Sequence, residues 1–420
     1  MVAPGFAEQI EFGRFRIDLE SRRLFRDGAD VSLRPRVFRV LEVLVRNRGR
    51  IVDYEQMVGE AWQGCRVSSH SVTVAVSEIR AQLEEYGSWI TCRPKFGYCF
   101  ELPRADDYVR RGWHCWNWHT REGFENALRA FEQAVACDSA DFRALQGIAS
   151  TYLMLGVILM RSPAEAKRGF TAAFNRAVEL CGLTPELRFH HAFGSFVFER
   201  KYAAAESELV RLSRESKSAQ IPLVLAMIHA TLGRLDDALS EIQRARTLDV
   251  LLPSVTVVET IVHIFRGEFE AAVAAGKNIA DLQPYSPAGL IHYAQALEFA
   301  GQIEEARFQY RTAGLMSAGT PWIRALEARF LAKHGAPGDA REILKDLIRI
   351  RRTEYIDAYY LALLWEALGE RDEAFRELDR AYEENSVMLQ LHHVDPKADS
   401  LRSDPRYARF RKLALGRGVR

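Results

Sequence analysis

The spacing of apolar residues changes along the first hundred residues of the chain. Apolar and polar positions alternate in residues 12–19 and 23–28, which is typical of short β-strands. Asp27-Gly28 favours a two-residue hairpin turn, and residues 31–33 end the alternating region. The pattern therefore predicts a small antiparallel sheet at the start of the chain.

Residues 35–85 have apolar positions three and four apart, which indicates three helices. Pro35 favours the first position of the first helix, and Gly49 stops that helix. Asp53 caps the second helix, and a short loop, residues 63–67, leads to the third helix at Ser68. The predicted buried faces are Phe38, Leu41, Leu44 and Val45; Met57, Val58, Ala61 and Trp62; and Val72, Val76, Ile79 and Leu83.

The opposite face of the third helix carries small polar residues and one cation. Its members are Thr73, Ser77, Arg80 and Gln82. Hydroxyls approach base edges closely, and arginine binds guanine or phosphate through two hydrogen bonds, although an ordinary surface helix has the same pattern. Residues 89–93 and 96–102 predict a β-hairpin with Pro94-Lys95 at its tip. Such a hairpin can act as a wing on the phosphate backbone or in the minor groove.

The order of strands, three helices and terminal hairpin resembles the OmpR/PhoB/ToxR-type winged-helix DNA-binding domain over about residues 8–102. The residues that carry the resemblance are Arg23-Leu24, Leu33-Arg34-Pro35, Leu41, Leu44, Gly49, Trp62, Ser71-Val72, Ile79-Arg80, Leu83, Ile90 and Gly97-Tyr98. The DNA contacts that it implies are Ser71, Thr73, Ser77 and Arg80 on the recognition helix, and Arg93 and Lys95 on the wing. Glu78 departs from the pattern, because many relatives carry a cation or a small polar residue there. The family often binds DNA as tandem pairs, so the resemblance implies a homodimer on DNA.

Beyond a linker at residues 102–107, the sequence repeats every 34 residues. The repeat is marked by Gly233, Gly267, Gly301, Gly335 and Gly369, and by Ala238, Ala272, Ala306, Ala340 and Ala374. This period of helix, glycine turn and helix is the signature of tetratricopeptide (TPR) repeats. It predicts about eight repeats in residues 105–420, after a winged-helix domain in residues 1–104. A lengthened unit is expected near residues 145–180, and a helix near the C-terminus is expected to cap the last repeat.

In the TPR family the first helix of each pair lines a concave groove. Carried over by position, this groove contains Leu223, Met227, Val257, Ile261, Ile291, Gln295, Glu298, Arg329, Tyr359, Leu363 and Glu366, with Trp322 near one end. Such a mixed, largely apolar surface suits a peptide or a helix of a protein partner. Self-association through the same surface is an equally good interpretation.

Composition narrows the class of protein. The chain has 420 residues and a net charge of +1, and residues 1–104 hold 16 Lys/Arg against 14 Asp/Glu, so any basic surface must be local. Six scattered cysteines without a CxxC motif indicate neither a zinc site nor a disulfide framework. The longest apolar stretch, residues 148–160, is shorter than a bilayer span, so we expect a cytoplasmic protein with no membrane association.

No enzyme motif stands out in the chain. It lacks a P-loop, a GxSxG elbow and a GxGxxG sequence, so we expect no catalytic site and no cofactor. Trp113, Trp116 and Trp118 lie beside His114 and His119, and this cluster fits core packing better than a metal or haem site.

The combined patterns predict a mainly α protein: an N-terminal winged helix-turn-helix followed by an all-α TPR superhelix. The arrangement resembles HilA-like bacterial transcription regulators, which join these two modules without a membrane span. The expected partners are double-stranded promoter DNA and a protein or peptide in the TPR groove. The alternative is a TPR scaffold that uses its winged helix for protein docking, and an enzyme has no motif in its favour.

Overall fold

We describe a computed structural model of the chain over residues 9–12, 15–63, 67–101, 105–250, 252–283, 286–317 and 320–410. It divides into two compact units, residues 1–148 and 149–420. In these ranges no helix is both long enough and apolar enough to cross a membrane.

The first unit begins with the antiparallel sheet that the alternating residues predict. Its strands are β1 Gln9–Phe12, β2 Phe15–Asp18, β3 Arg23–Arg26 and β4 Ala29–Val31, in that order across the sheet. Asp27 and Gly28 both have positive φ, 51° and 82°, and they join β3 to β4. Glycine adopts positive φ without strain and aspartate tolerates it, which explains this hairpin turn.

Three helices and a second sheet complete the winged helix. The helices are α1 Pro35–Arg46, α2 Tyr54–Trp62 and α3 Ser69–Gln82. The sheet has the order β5–β7–β6, with β5 Ile51–Val52, β6 Ile90–Arg93 and β7 Gly97–Phe100. Pro35 starts α1, and the Asp53 carboxylate accepts the Gln56 backbone N–H at 2.8 Å to cap α2, as predicted. Residues 64–66 of the expected loop lie outside the described residues.

The first helical pair shares its core with the winged helix. Helix α4, Ala105–Trp116, and helix α5, Arg121–Cys137, contribute side chains to the same cluster of buried apolar residues as α1 and α3. The Trp89 Nε1 donates a hydrogen bond to the Tyr108 hydroxyl at 2.8 Å. Of the predicted linker, residues 102–104 are outside the described residues, whereas residues 105–107 are already the first turn of α4. The linker prediction is therefore wrong for those three residues.

Helices α6 to α19 continue the repeat in the order that the period predicts. Their bounds are α6 Phe142–Val157, α7 Pro163–Cys181, α8 Pro185–Glu199, α9 Tyr202–Glu215, α10 Gln220–Thr231, α11 Leu235–Leu248, α12 Pro253–Arg266, α13 Phe269–Leu282, α14 Pro287–Phe299, α15 Ile303–Met316, α16 Pro321–Lys333, α17 Pro337–Ile350, α18 Ala358–Ala367 and α19 Arg371–Glu383. The five in-register alanines are fully buried, and the five in-register glycines have positive φ between 73° and 94°. Small side chains let the helices approach closely, and the glycines let the chain reverse. The long α6 and α7 form the lengthened unit.

A non-repeating segment follows α19. It contains 3₁₀ turns at Met388–Leu391, Pro396–Ala398 and Pro405–Tyr407 and one short helix, α20 Asp399–Arg402. The predicted capping helix belongs to the basic end that follows Tyr407, of which residues 408–410 are helical and residues 411–420 lie outside the described residues, so it stays a prediction. We call residues 385–407 the closing segment.

Candidate nucleic-acid interface and TPR groove

Helix α3 has one buried face and one exposed face, as its sequence predicts. Val72, Val76, Ile79 and Leu83 are buried in the core of the first unit. Thr73 and Ser77 are exposed on the opposite side. The same exposed face also holds His70, Val74 and Ala81, which the sequence prediction left out. A helical wheel would have found them, because they lie three and four residues from Thr73 and Ser77.

Contacts with the start of α3 hold the hydroxyls of Ser71 and Thr73. The Thr73 hydroxyl donates to the Ser69 carbonyl at 3.2 Å and lies 3.3 Å from the Tyr98 hydroxyl on β7. Ser71 is partly buried, and its Oγ lies 3.4 Å from the Ser68 Oγ. Thr73 therefore faces outward beside the hairpin, whereas Ser71 lies at the edge of the exposed face.

Arg80 lies roughly 20° around the helix axis from Thr73, but its guanidinium turns back onto the protein. Its Nε and Nη2 both donate to the carbonyl oxygen of Ile90, at 3.1 and 2.6 Å, and the side chain is half-buried. This contact joins α3 to the start of β6. The guanidinium is thus bound within the protein, and a role of Arg80 in reading DNA stays a prediction.

Glu78 is also paired within the protein. Its carboxylate forms an ion pair with Arg34, in which the Arg34 Nε donates to Oε1 at 3.1 Å. The hydrogen bond to Glu78 raises the pKa of the Arg34 guanidinium. The negative charge of Glu78 is therefore balanced locally and does not oppose an approaching phosphate unscreened.

The hairpin of β6 and β7 places one cation at its tip. Lys95 is exposed, has a positive φ of 71°, and has no hydrogen-bond or ion-pair partner within the described ranges. Arg93 is also exposed, but its Nη2 lies 2.9 Å from the Glu101 carboxylate. A Cβ on Gly97 would lie 2.1 Å from the Val52 carbonyl, so glycine lets the hairpin pass close to β5. Lys95 is consequently the better placed of the two predicted wing contacts.

An open cleft of about 500 Å³ separates the hairpin from the N-terminal ends of α2 and α3. Its lining includes Thr73 from α3, Lys95 and Tyr98 from the hairpin, and Tyr54 from α2. The cleft also contains the Glu55 carboxylate, so one wall is acidic. Hydroxyl donors, a cation and a helix N-terminus thus converge on one open surface.

The tryptophan cluster packs as a core. The Trp113 ring lies 5.2 Å from the Phe131 ring, and the Trp116 ring lies 5.7 Å from the Phe124 ring. Trp118 stays exposed. Among the described residues, no group of His, Cys, Asp and Glu side chains has an arrangement suited to a metal ion.

Most of the predicted TPR groove is buried. Eight of its twelve predicted residues are at most 8% exposed: Leu223, Ile291, Gln295, Glu298, Trp322, Arg329, Tyr359 and Leu363. The other four, Met227, Val257, Ile261 and Glu366, are intermediate. The structure therefore contradicts the prediction that these eight line an open surface.

A buried ionic cluster accounts for part of this burial. The Glu298 carboxylate lies 2.8 Å from the Arg329 Nη1 and accepts the Tyr310 hydroxyl at 2.7 Å, with the His334 Nε2 at 3.3 Å. Burial raises the pKa of Glu298, but Arg329 and Tyr310 outweigh that effect and keep the pKa below its usual value. These charged groups are paired with each other, so they are not available to a ligand.

The closing segment contributes to the burial of Tyr359. The Tyr359 hydroxyl donates to the Asp395 carboxylate at 3.0 Å, and Asp395 pairs with the Lys397 Nζ at 2.9 Å, with both charged side chains buried. Gln390 accepts from the Tyr202 hydroxyl at 2.9 Å and donates to the Val197 carbonyl at 3.1 Å. The segment thus links α18 to α8 and α9.

The comparisons with known proteins agree with this division. Residues 28–100 match the family described as "Transcriptional regulatory protein, C terminal". This N-terminal module is therefore an OmpR/PhoB-type domain, as the resemblance predicted.

Individual relatives match the same module. The chain is 31% identical over 96 residues to the transcriptional regulatory protein KdpE of Mycobacterium tuberculosis, covering 22% of this chain and 42% of that protein. It is 37% identical over 90 residues to CutR of Streptomyces coelicolor, covering 21% and 41%. It is 24% identical over 98 residues to the transcriptional activator CadC of Escherichia coli, covering 22% and 19%. The chain thus spans about two-fifths of the length of KdpE and CutR.

The helical remainder resembles a helical-repeat fold seen in solved structures. The human IFIT1 dimer with m7Gppp-AAAA superposes with a TM-score of 0.54 at 13% identity, covering 82% of this chain and 78% of that one. This likeness supports the TPR-like fold and nothing beyond it. The predicted fold class, a winged helix followed by a TPR-like array, is confirmed.

Proposed function

We propose that the protein is a sequence-specific regulator of transcription that binds duplex promoter DNA through α3 and the hairpin. The observation that carries this proposal is the exposed face of α3 beside a cation, Lys95, that has no partner among the described residues, inside the segment that matches the regulator family. In this arrangement α3 enters the major groove, and Lys95 contacts the adjacent phosphates. The role requires no catalytic group or cofactor, and it places the protein in a bacterial cytoplasm.

We propose further that the helical unit binds a protein or peptide partner or associates with a second copy. Helical repeats commonly present extended binding surfaces. Because most of the predicted groove residues are buried, we propose that this contact uses surfaces outside the groove. A scaffold that uses the winged helix to dock a protein is the second candidate, which the OmpR/PhoB-type match makes weaker.

The test is selection of genomic DNA fragments by the full-length protein, compared with a Thr73→Ala/Ser77→Ala variant. The matched control is Thr312→Ala/Ser240→Ala, because these exposed helical hydroxyls bond to the carbonyl four residues earlier, as that of Thr73 does. We expect one enriched motif for the wild type and the control, and loss of that motif in the Thr73/Ser77 variant. The slope of affinity against salt concentration should correspond to several released counterions.

Two results would overturn the proposal. Equal enrichment with the Thr73/Ser77 variant would place the DNA contact elsewhere on the chain. Absence of any enriched motif together with a flat salt dependence would favour the scaffold. Sedimentation of the wild type with and without the selected duplex measures whether it binds as a pair.

A further inference from the structure

The exposed face of α3 has an unusual chemistry for a DNA-reading helix. It consists of five residues within roughly 100° of the helix circumference. They are His70, Thr73, Val74, Ser77 and Ala81. Val74 is 43% exposed although it is a β-branched apolar residue, and Ala81 offers only a methyl group.

The charged and amide side chains of α3 do not reach this face. Arg80 is bound to the Ile90 carbonyl, and Glu78 is paired with Arg34. Gln82 is exposed but lies roughly 140° around the axis from Ser77. Guanine is read best by arginine or lysine, and adenine by asparagine or glutamine. The exposed face therefore lacks the usual readers of both purines.

The hydroxyl of Thr73 is also partly committed. It donates its proton to the Ser69 carbonyl, which leaves the methyl group as the part of the side chain without a bond. The exposed face thus offers apolar carbon from Thr73, Val74 and Ala81. In the major groove, the 5-methyl group of thymine is the base feature that such carbon contacts.

We propose that Val74 and Ala81, with the Thr73 methyl, determine specificity by contacting thymine 5-methyl groups in each half-site. This inference rests on the proposed function, because it specifies what the same DNA-binding face recognises. It explains why an apolar side chain is kept in water in the free protein: the side chain becomes buried when α3 enters the major groove. Removing a buried methyl group from either partner should lower affinity about fourfold.

The test starts from the motif that the full-length protein selects out of a random duplex library. Each thymine in that motif is replaced singly by deoxyuridine, which lacks only the methyl group. We expect about fourfold weaker binding at one or two positions in each half-site. At the position that Val74 contacts, the Val74→Ala protein should bind the thymine and deoxyuridine duplexes equally, because its contact is already lost. A position that Ala81 or the Thr73 methyl group contacts should keep its response to deoxyuridine. The matched control is Val210→Ala on α9, a valine of similar exposure at 39%, which should respond to deoxyuridine as the wild type does.

The outcomes separate this inference from the function on which it rests. A selected motif whose deoxyuridine forms all bind within twofold of the thymine form overturns methyl recognition and leaves the DNA-binding function intact. Losses from Val74→Ala and from deoxyuridine that multiply at every sensitive position would show that Val74 contacts no thymine methyl group, and they would also overturn it. Failure to select any motif overturns the proposed function, and the inference with it.

Discussion

The exposed face of α3 and the groove face of the helical unit were both predicted by carrying family positions onto the sequence, yet their outcomes differ. On α3, Thr73 and Ser77 are exposed as expected. In the groove, residues such as Glu298 and Tyr359 are buried. Periodicity places a side chain on one side of its own helix in both regions. Whether that side meets solvent depends on what else the chain packs against it.

The difference has a physical origin in the two regions. The face of α3 is set by contacts local to one small domain, and its neighbours are the hairpin and α2. At Tyr359 the groove face is contacted by non-repeating residues near the far end of the chain, since its hydroxyl donates to Asp395. A helix face that the repeat pattern predicts to be exposed can therefore be buried by residues outside the repeats.

The largest effect is expected when a charge is removed from the buried groove residues. Arg329→Ala leaves the Glu298 carboxylate buried with only Tyr310 and His334 beside it, so we expect a loss of about 3–5 kcal/mol in the free energy of unfolding. Urea denaturation followed by circular dichroism measures it. Arg341→Ala, which removes a surface pair with Glu370, is the control and should lose less than about 1 kcal/mol. A small effect at Arg329 would mean that the groove is open after all.

The next largest loss of stability is expected from removing the hydrogen bond between Tyr359 and the closing segment. Tyr359→Phe removes the hydroxyl that donates to the buried Asp395, which should destabilise the unit by about 1.5–3 kcal/mol. Hydrogen exchange should quicken in residues 385–407 and much less in α3. Tyr382→Phe on α19, where the ring is partly exposed, serves as the control. Unchanged exchange in the closing segment would contradict the view that it is held by its polar contacts.

The sequence was sufficient for much of this architecture. The 34-residue register located the buried alanines and the positive-φ glycines, because close helix packing and chain reversal impose local steric rules. Alternation and capping residues such as Asp53 located the strands and helices of the winged helix. The face of α3 followed from the spacing of Val72 and Ile79.

The sequence was insufficient where tertiary contacts decide the role of a polar group. Arginine is a residue type that commonly contacts DNA, but the Arg80 guanidinium donates to the carbonyl of Ile90, ten residues later in the chain. The closing segment has no period, so nothing in its pattern indicates that it would bind Tyr202 and Tyr359. Helix α4 begins directly at Ala105 because its residues join the core of the winged helix rather than a separate domain.

Within α3, Arg80 and Ser77 provide a test that separates a residue that stabilises the domain from a residue that contacts DNA. Arg80→Ala removes two hydrogen bonds to the Ile90 carbonyl, and we expect the first unit to lose about 1–2 kcal/mol of stability. DNA affinity should fall only as far as the hairpin is displaced. Ser77→Ala should instead lower affinity without changing hydrogen exchange in β6. Loss of affinity in Arg80→Ala with unchanged exchange in β6 would return Arg80 to the DNA-reading residues.

The smallest effect is expected at the tip of the hairpin, where a single exposed cation acts through charge alone. Lys95→Ala should weaken binding to all duplex sequences alike, because a phosphate carries no sequence information. The slope of log affinity against log salt concentration should fall by about 1. Lys217→Ala, an exposed cation of the helical unit, should leave the slope unchanged. If Lys95→Ala instead altered the selected motif, the hairpin would contact bases, and the division between a reading helix and a positioning hairpin would fail.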